Sequence, residues 1–225
     1  MEKHGTTVPV ILANGDFPSH KIPLSILKSA DFLVCTDGST ASLLEYVRRN
    51  ETDPCVRKIA PSVIVGDGDS IDVSLKSRFR DIYVEYEEQD YNDLTKATRY
   101  CIDKGYNHIV YLGIGGKRED HAIANFSLLM WYFRHFNIRV EAYTDYGRFI
   151  PCSGTYSLNV EPGIQVSVFN FGARKLKSCG LKWDIYDFDE LWQGTLNEAV
   201  SDTVTVSAEG DYLLYITYEK KNAGL

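Results

Sequence analysis

Gly66-Asp67-Gly68-Asp69-Ser70 follows the apolar run Val63–Val65, with its two carboxylates two residues apart. Carboxylates at that spacing on a turn can converge on one hard cation such as Mg2+. That ion takes one or two protein carboxylates and completes its shell with water and substrate phosphates. The same residues also read as a turn in which Asp and Gly adopt unusual backbone angles and Ser70 caps the next helix. A second segment, Gln89-Asp90-Tyr91-Asn92-Asp93-Leu94-Thr95-Lys96, closes another strand and enters a helix. There Asp93 is placed to add a third metal-facing carboxylate, and Lys96, one turn on, to reach a phosphate. The alternative is an acidic helix start with a favourable dipole and an exposed lysine. A third, Gly113-Ile114-Gly115-Gly116-Lys117-Arg118-Glu119-Asp120-His121, is a glycine-rich loop opening a helix. Such a loop lets backbone N–H groups approach phosphate oxygens, and the helix N-terminus favours an anion. Arg118 suits a bidentate clamp on phosphate. Asp120 is placed to orient Arg118, cap the helix or face the metal, and His121 reads first as a structural, hydrogen-bonded histidine. The spacing matches neither G-x-x-x-x-G-K-S/T nor G-x-G-x-x-G.

Together these segments describe a phosphate-and-metal site with surplus acid. ATP-dependent transfer needs positioning and charge neutralisation more than covalent chemistry, so carboxylates on Mg2+ with Arg and Lys suffice. No Ser-His-Asp order or zinc spacing competes. The net charge of −7 argues against a nucleic-acid partner. A chain of 225 residues, 44% hydrophobic and 24% charged, is ordinary globular composition and long enough to bury a core without disulfides. Cys35, Cys55, Cys101, Cys152 and Cys179 are odd in number and form no C-x-x-C, so they read as reduced thiols in a cytoplasmic protein. The longest apolar run near the N-terminus, Val8 to Ala13, is too short for a signal-peptide core or a membrane span.

The elements that must hold these residues repeat one theme. Apolar runs at Val8–Ala13, Phe32–Cys35, Val63–Val65, Ile82–Val84, Ile109–Leu112 and Arg139–Tyr143 each lead to Gly, Asp or Asn, and helical patterns follow. Short continuous apolar strands separated by helices predict a parallel α/β sheet covered on both faces. In such sheets ligands bind beyond the carboxyl ends of the strands, which is where the acids and glycines collect. Residues 92–104 have helical spacing, with Leu94, Ala97, Thr98 and Cys101 on one stripe and Asn92 as N-cap. Residues 119–136 carry Ile123, Phe126, Met130 and Phe133 at similar spacing. After Tyr146-Gly147 the pattern changes to short alternating segments: Tyr156-Leu158-Val160, Val166-Val168-Phe169, Trp183-Ile185, Val204-Val206 and Leu213–Tyr218. The expected fold is an α/β domain over residues 1–147 followed by a small all-β sandwich over 148–225.

The ordered motifs resemble the thiamine pyrophosphokinase family across nearly the whole chain. They stand as Ala13-Asn14-Gly15, Thr36-Asp37-Gly38-Ser39-Thr40, Gly66-Asp67-Gly68-Asp69-Ser70 and Glu88-Gln89-Asp90-Tyr91-Asn92-Asp93 with Lys96. Gly115 to His121 with Ala124-Asn125, and Gly180-Leu181-Lys182-Trp183, complete the series. Ser39-Thr40 departs from the family's G-A, Asn92 replaces Thr, and one extra residue precedes Arg118. The resemblance implies pyrophosphate transfer from ATP to thiamine, giving AMP and thiamine diphosphate. It also implies a homodimer with its active sites between subunits, the nucleotide in the α/β domain and thiamine near the β domain. Asp67, Asp69 and Asp93 would hold Mg2+, Arg118 and Lys96 would neutralise developing charge, and Asp69 or Asp93 would accept the hydroxyl proton. Substrate contacts fall on Asp37, Gln89, Asp90, Asn92, Gly116, Asp120, Trp183 and Asn197. Trp183 suits stacking on a cationic heterocycle, with a sandwich-core tryptophan as the alternative, and Asn197 is placed to bond the pyrimidine.

Two other functions fit parts of the pattern. Asp67-Gly68-Asp69 imitates the D-x-D of haloacid-dehalogenase-like phosphatases. That family, however, puts its nucleophile on an early strand and adds a later acidic pair that this chain lacks. The altered second motif raises a non-catalytic thiamine or nucleotide sensor as the other alternative.

Overall fold

The computed structural model describes residues 7–220. The chain divides into two compact units, residues 1–145 and 146–225. In the first unit β1 (Val10–Leu12), β2 (Leu33–Thr36), β3 (Val63–Gly66), β4 (Tyr83–Glu85), β5 (His108–Leu112) and β6 (Arg139–Tyr143) alternate with helices. These are α1 (Lys21–Lys28), α2 (Asp37–Arg49), α3 (Val73–Arg78), α4 (Asp93–Asp103) and α5 (Glu119–Phe136). All five strand pairings are parallel, in the order β6-β5-β1-β2-β3-β4. Every residue of β1, β2 and β3 is buried, as expected of strands covered on both faces. From β1 the chain winds outward through β2, β3 and β4, then returns to the other side of β1 as β5 and β6. The strand order therefore reverses between β1 and β5, the position where doubly wound sheets open a ligand crevice.

The expected α4 stripe is buried in full, and Thr95 and Lys96 are buried with it. The expected α5 stripe is only partly right. Met130 is buried with Leu129 and Tyr132, but Ile123 is 70% exposed. The first turns of α5 border a cleft through His121 and Asn125, and Ile123 there faces solvent.

The second unit is antiparallel: β7 (Gly147–Asn159), β8 (Ile164–Asn170), β9 (Arg174–Cys179), a short 3-10 turn (Leu191–Gly194), β10 (Asn197–Glu198) and β11 (Thr203–Lys220). Val204-Val206 and Leu213–Tyr218, separate segments by sequence pattern, belong to the single long strand β11. Its first half pairs with β9 and its second half with β8, while β7 accompanies both. The register shifts between Ser207 and Asp211, beside Gly210 with φ +109, so one strand serves two sheet faces around a common core. Trp183-Ile185 is not a strand; only Leu181 makes an isolated bridge, to Ala199. No helix among the described residues is long and apolar enough to cross a membrane.

Leu214 is fully buried at the centre of this core. Leu214→Ala should lower stability by ~2–5 kcal/mol, the range for a truncated core leucine. Urea denaturation followed by fluorescence would test it, and an unchanged midpoint would show that this core does not limit stability.

Candidate active site

β2 and β3 are neighbours in register, Thr36 beside Val65, so the residues just past their carboxyl ends meet. Asp37 opens α2 and is 1% exposed. Its Oδ2 accepts the Gly68 N–H at 2.7 Å and the Tyr83 hydroxyl at 3.2 Å. Its Oδ1 is buried with no hydrogen-bond partner. Asp67, on the turn after β3, and Asp93, the first residue of α4, complete a cluster in which one ligand oxygen from each acid lies within 4.8 Å of the others. Gly66 is required beside it, because a Cβ there would stand 2.1 Å from the Asp37 carboxyl carbon.

Three carboxylates this close repel one another and need a cation. Lys96 provides one. Its Nζ donates to Asp67 Oδ2 at 2.8 Å and lies 3.7 Å from Asp93 Oδ1, and its side chain is 1% exposed. Burial works to lower its pKa, but the Asp67 bond and the charges of Asp67, Asp93 and Glu88 outweigh it and leave the ammonium pKa raised. The same bond holds Asp67 below the usual carboxylate range. Asp93 is pushed up to about 6 by burial and by the charges of Asp67 and Asp37. Burial also raises Asp37, against its bonds from Gly68 and Tyr83.

Of the three acids expected from sequence to hold the metal, the structure brings two together. Asp67 and Asp93 meet as expected, but Asp37 joins them, while Asp69 is exposed on the turn and outside the cluster. The Asp69 N–H donates to Asp67 Oδ1, so the turn orients the first acid and projects the second outward. Lys96 is buried and not exposed, and its ammonium is bonded to Asp67.

Beside the cluster a cleft of about 280 Å³ opens between the ends of β1 and β5. Asn14, Gly15, Asp93, Gly116, Arg118 and Asn125 are among its walls. The Gly15 and Asp16 N–H groups donate to the Gly113 and Gly115 carbonyls, zipping the two loops together. A Cβ on Gly15 would meet the Gly115 oxygen at 2.2 Å, which accounts for glycine there. The extra residue before Arg118 is absorbed by Lys117, which takes φ +56 and donates to Asn14 Oδ1. Arg118 pairs with Asp120 through its Nε and Nη2. That bond holds Asp120 well below its ordinary range, and the same carboxylate accepts the His121 N–H in the first turn of α5, so Asp120 both orients Arg118 and bonds the helix start. Asn92 caps α4 through the Thr95 N–H, and its amide donates to Asn125. Gln89 and Asp90 are exposed on the loop before α4, outside both the cluster and the cleft lining. The departure at Ser39-Thr40 is structural. Both hydroxyls donate to the Thr36 carbonyl, and Ser39 also donates to Leu12.

In the second unit Trp183 is 53% exposed, which excludes the core alternative. Asn197, itself buried, accepts the Trp183 N–H and donates to its carbonyl, so it positions the tryptophan loop. Lys182 Nζ lies 4.8 Å from the indole centroid, a cation already on this ring. Tyr83 was missed by sequence reasoning. It belongs to an ordinary strand pattern, and nothing local signals that its hydroxyl reaches Asp37, 46 positions away.

Residues 24–142 match the family model for the thiamin pyrophosphokinase catalytic domain. The chain belongs to the thiamin pyrophosphokinase family. Residues 147–215 match the substrate-binding domain of the same enzymes. Thiamine pyrophosphokinase 1 of Oryza sativa subsp. japonica is 24% identical over 208 residues, 82% of this chain and 78% of its own. Yeast thiamin pyrophosphokinase shares the fold with a TM-score of 0.79 at 17% identity, over 96% of this chain and 87% of that one. The Candida albicans enzyme does so at 0.75 and 18%, over 94% and 90%. Family members transfer pyrophosphate from ATP to thiamine.

Asp93 yields a test specific to this site. Its folded pKa lies above its unfolded value, so its contribution to stability is full at low pH and is lost as pH rises through about 6. With metal chelated, Asp93→Asn should therefore be more stable than the unaltered protein by ~1–2 kcal/mol at pH 7.5. The difference should disappear near pH 4. Thermal melts across pH would measure it, and equal stability at pH 7.5 would mean that Asp93 is not under strain from its neighbours.

Proposed function

We propose that this chain is an ATP- and Mg2+-dependent thiamine pyrophosphokinase acting as a homodimer in the cytoplasm. The observation that carries the metal site is the buried, unpartnered Oδ1 of Asp37 in a cluster with Asp67 and Asp93 beside a glycine-rich cleft. Three hard carboxylate donors suit Mg2+. Bound there, the ion would neutralise the polyphosphate and fix it for in-line attack. Asp37, Asp67 and Asp93 would hold it, and Asp69 stands exposed on the same turn. Arg118, kept in place by Asp120, and the Gly113–Gly116 loop receive the phosphates. Thiamine's primary hydroxyl attacks the β-phosphorus, the bond from that phosphorus to the α–β bridging oxygen breaks, and AMP departs with the electron pair. The hydroxyl proton passes to a carboxylate. Of the two acids named for that role, Asp93 would be occupied by the ion, which leaves Asp69, outside the cluster, as the base.

Thiamine stacks on Trp183, whose exposed indole attracts a flat cation. Trp183, Tyr186, Leu191, Trp192, Leu196 and Val200 are each more than half exposed along one stretch of the second unit. That apolar surface supports pairing with a second copy. The free thiols of Cys35, Cys55, Cys101, Cys152 and Cys179 support a reducing compartment. Neither the phosphatase nor the sensor alternative has support in the site or the comparisons.

Incubation with thiamine, ATP and Mg2+ should release AMP, and excess chelator should stop it. Product chromatography showing ADP with thiamine monophosphate, or full turnover in chelator, would overturn the reading. A second test addresses the dimer. Asp67→Asn and Trp183→Ala should each refold to a nearly inactive protein. If each site draws on both subunits, refolding the two together should restore part of the activity, because mixed dimers then contain one site with neither lesion. A monomer by sedimentation, or no recovery despite proven subunit exchange, would exclude the shared site.

A further inference from the structure

We propose that Lys96 is a built-in competitor of the divalent ion: its ammonium compensates the carboxylate cluster and leaves Asp67 when the ion enters. This deepens the metal-site reading and rests on it. Lys96 is the only cation that the cluster's ion pairs record among the described residues, and it is as buried as Asp37. Its Nζ takes Asp67 Oδ2 at 2.8 Å, one of the two oxygens that Asp67 offers an ion, and approaches Asp93 Oδ1 at 3.7 Å. An ammonium and a divalent cation on one oxygen repel each other strongly at a few ångströms in a partly buried site. Lys96 is held by this contact and by nothing covalent, and its four-carbon stem rotates. Displaced, the ammonium stays within reach of Asp93, which borders the cleft. Ion entry thereby delivers a positive charge toward the phosphate, linking metal loading to nucleotide binding through one side chain.

The exchange predicts opposite effects on binding and turnover. Lys96→Met removes the competitor at similar volume, so Mg2+ or Mn2+ should bind about tenfold more tightly or better, the order expected for deleting one unit charge nearby. Turnover should nevertheless fall. Calorimetric titration of the chelator-stripped full chain, without ATP or thiamine, reads the affinity. Melting in chelator should show the variant less stable than the unaltered protein, and more strongly rescued by the ion. Unchanged or weaker ion binding in Lys96→Met overturns the exchange.

In the unaltered protein labelled with 15N-lysine, the Lys96 ammonium resonance should shift on adding Mg2+ but not on adding NaCl at equal ionic strength. A stationary signal at saturating Mg2+ overturns the proposal even where the Met variant does not fold. Asp67→Asn separates the two readings. If it binds the ion as well as the unaltered protein does, the cluster is not the metal site and both readings fall. If it loses the ion while Lys96→Met binds as before, only the exchange falls.

Discussion

The Lys96–Asp67 ion pair is the interaction on which the site's order depends. Three aspartates converge because two parallel strands end side by side and a helix starts opposite them. Desolvation and mutual repulsion both oppose that arrangement, and their cost shows in the raised pKa values of Asp37 and Asp93. A buried ammonium bonded to Asp67 offsets it. Removing one partner of such a pair leaves an uncompensated charge in a dry place, which costs far more than an exposed pair is worth. The fold therefore keeps a strained cluster that a divalent cation can relieve.

Backbone geometry around the cleft follows a related constraint. The β1 and β5 loops must approach closely enough for the Gly15 and Asp16 N–H groups to bond the Gly113 and Gly115 carbonyls. A side chain at Gly15 would prevent it, and one at Gly116 would stand 1.9 Å from an Asp16 carboxylate oxygen. The glycines thus place two loops from either side of the chain reversal into one wall. Arg118 and His121 enter the cleft from that wall.

The second unit solves a different problem, holding an exposed aromatic loop still. Asn197 is buried and spends its amide on both backbone groups of Trp183, so the indole can remain outside the core without the loop collapsing. The neighbouring Lys182 marks the ring as a surface that already receives a cation.

Six strands and their order of appearance, the α4 and α5 helices, and the carboxylates and glycines at strand ends were legible in the sequence. Apolar runs, helical spacing and turn chemistry are local properties. Which acids meet was not. Asp69 is as close to Asp67 in sequence as an alternating pair can be, yet Asp37, thirty positions away, is the one beside it. That choice depends on strand adjacency in the sheet and on which carboxylate the turn aims inward. Burial was likewise decided only in three dimensions. The alternative readings, an exposed Lys96 and a core Trp183, are both excluded by the packing: Lys96 is buried against Asp67, and Trp183 is exposed on a loop bonded to Asn197. The union of two apolar segments into β11 was equally hidden, since a bulge interrupts the alternation without ending the strand. Sequence determined the elements and the chemical groups at their ends, because those follow from near neighbours. The partners of each charge, and hence its protonation and exposure, came from residues distant in the chain that only the folded packing brings into contact.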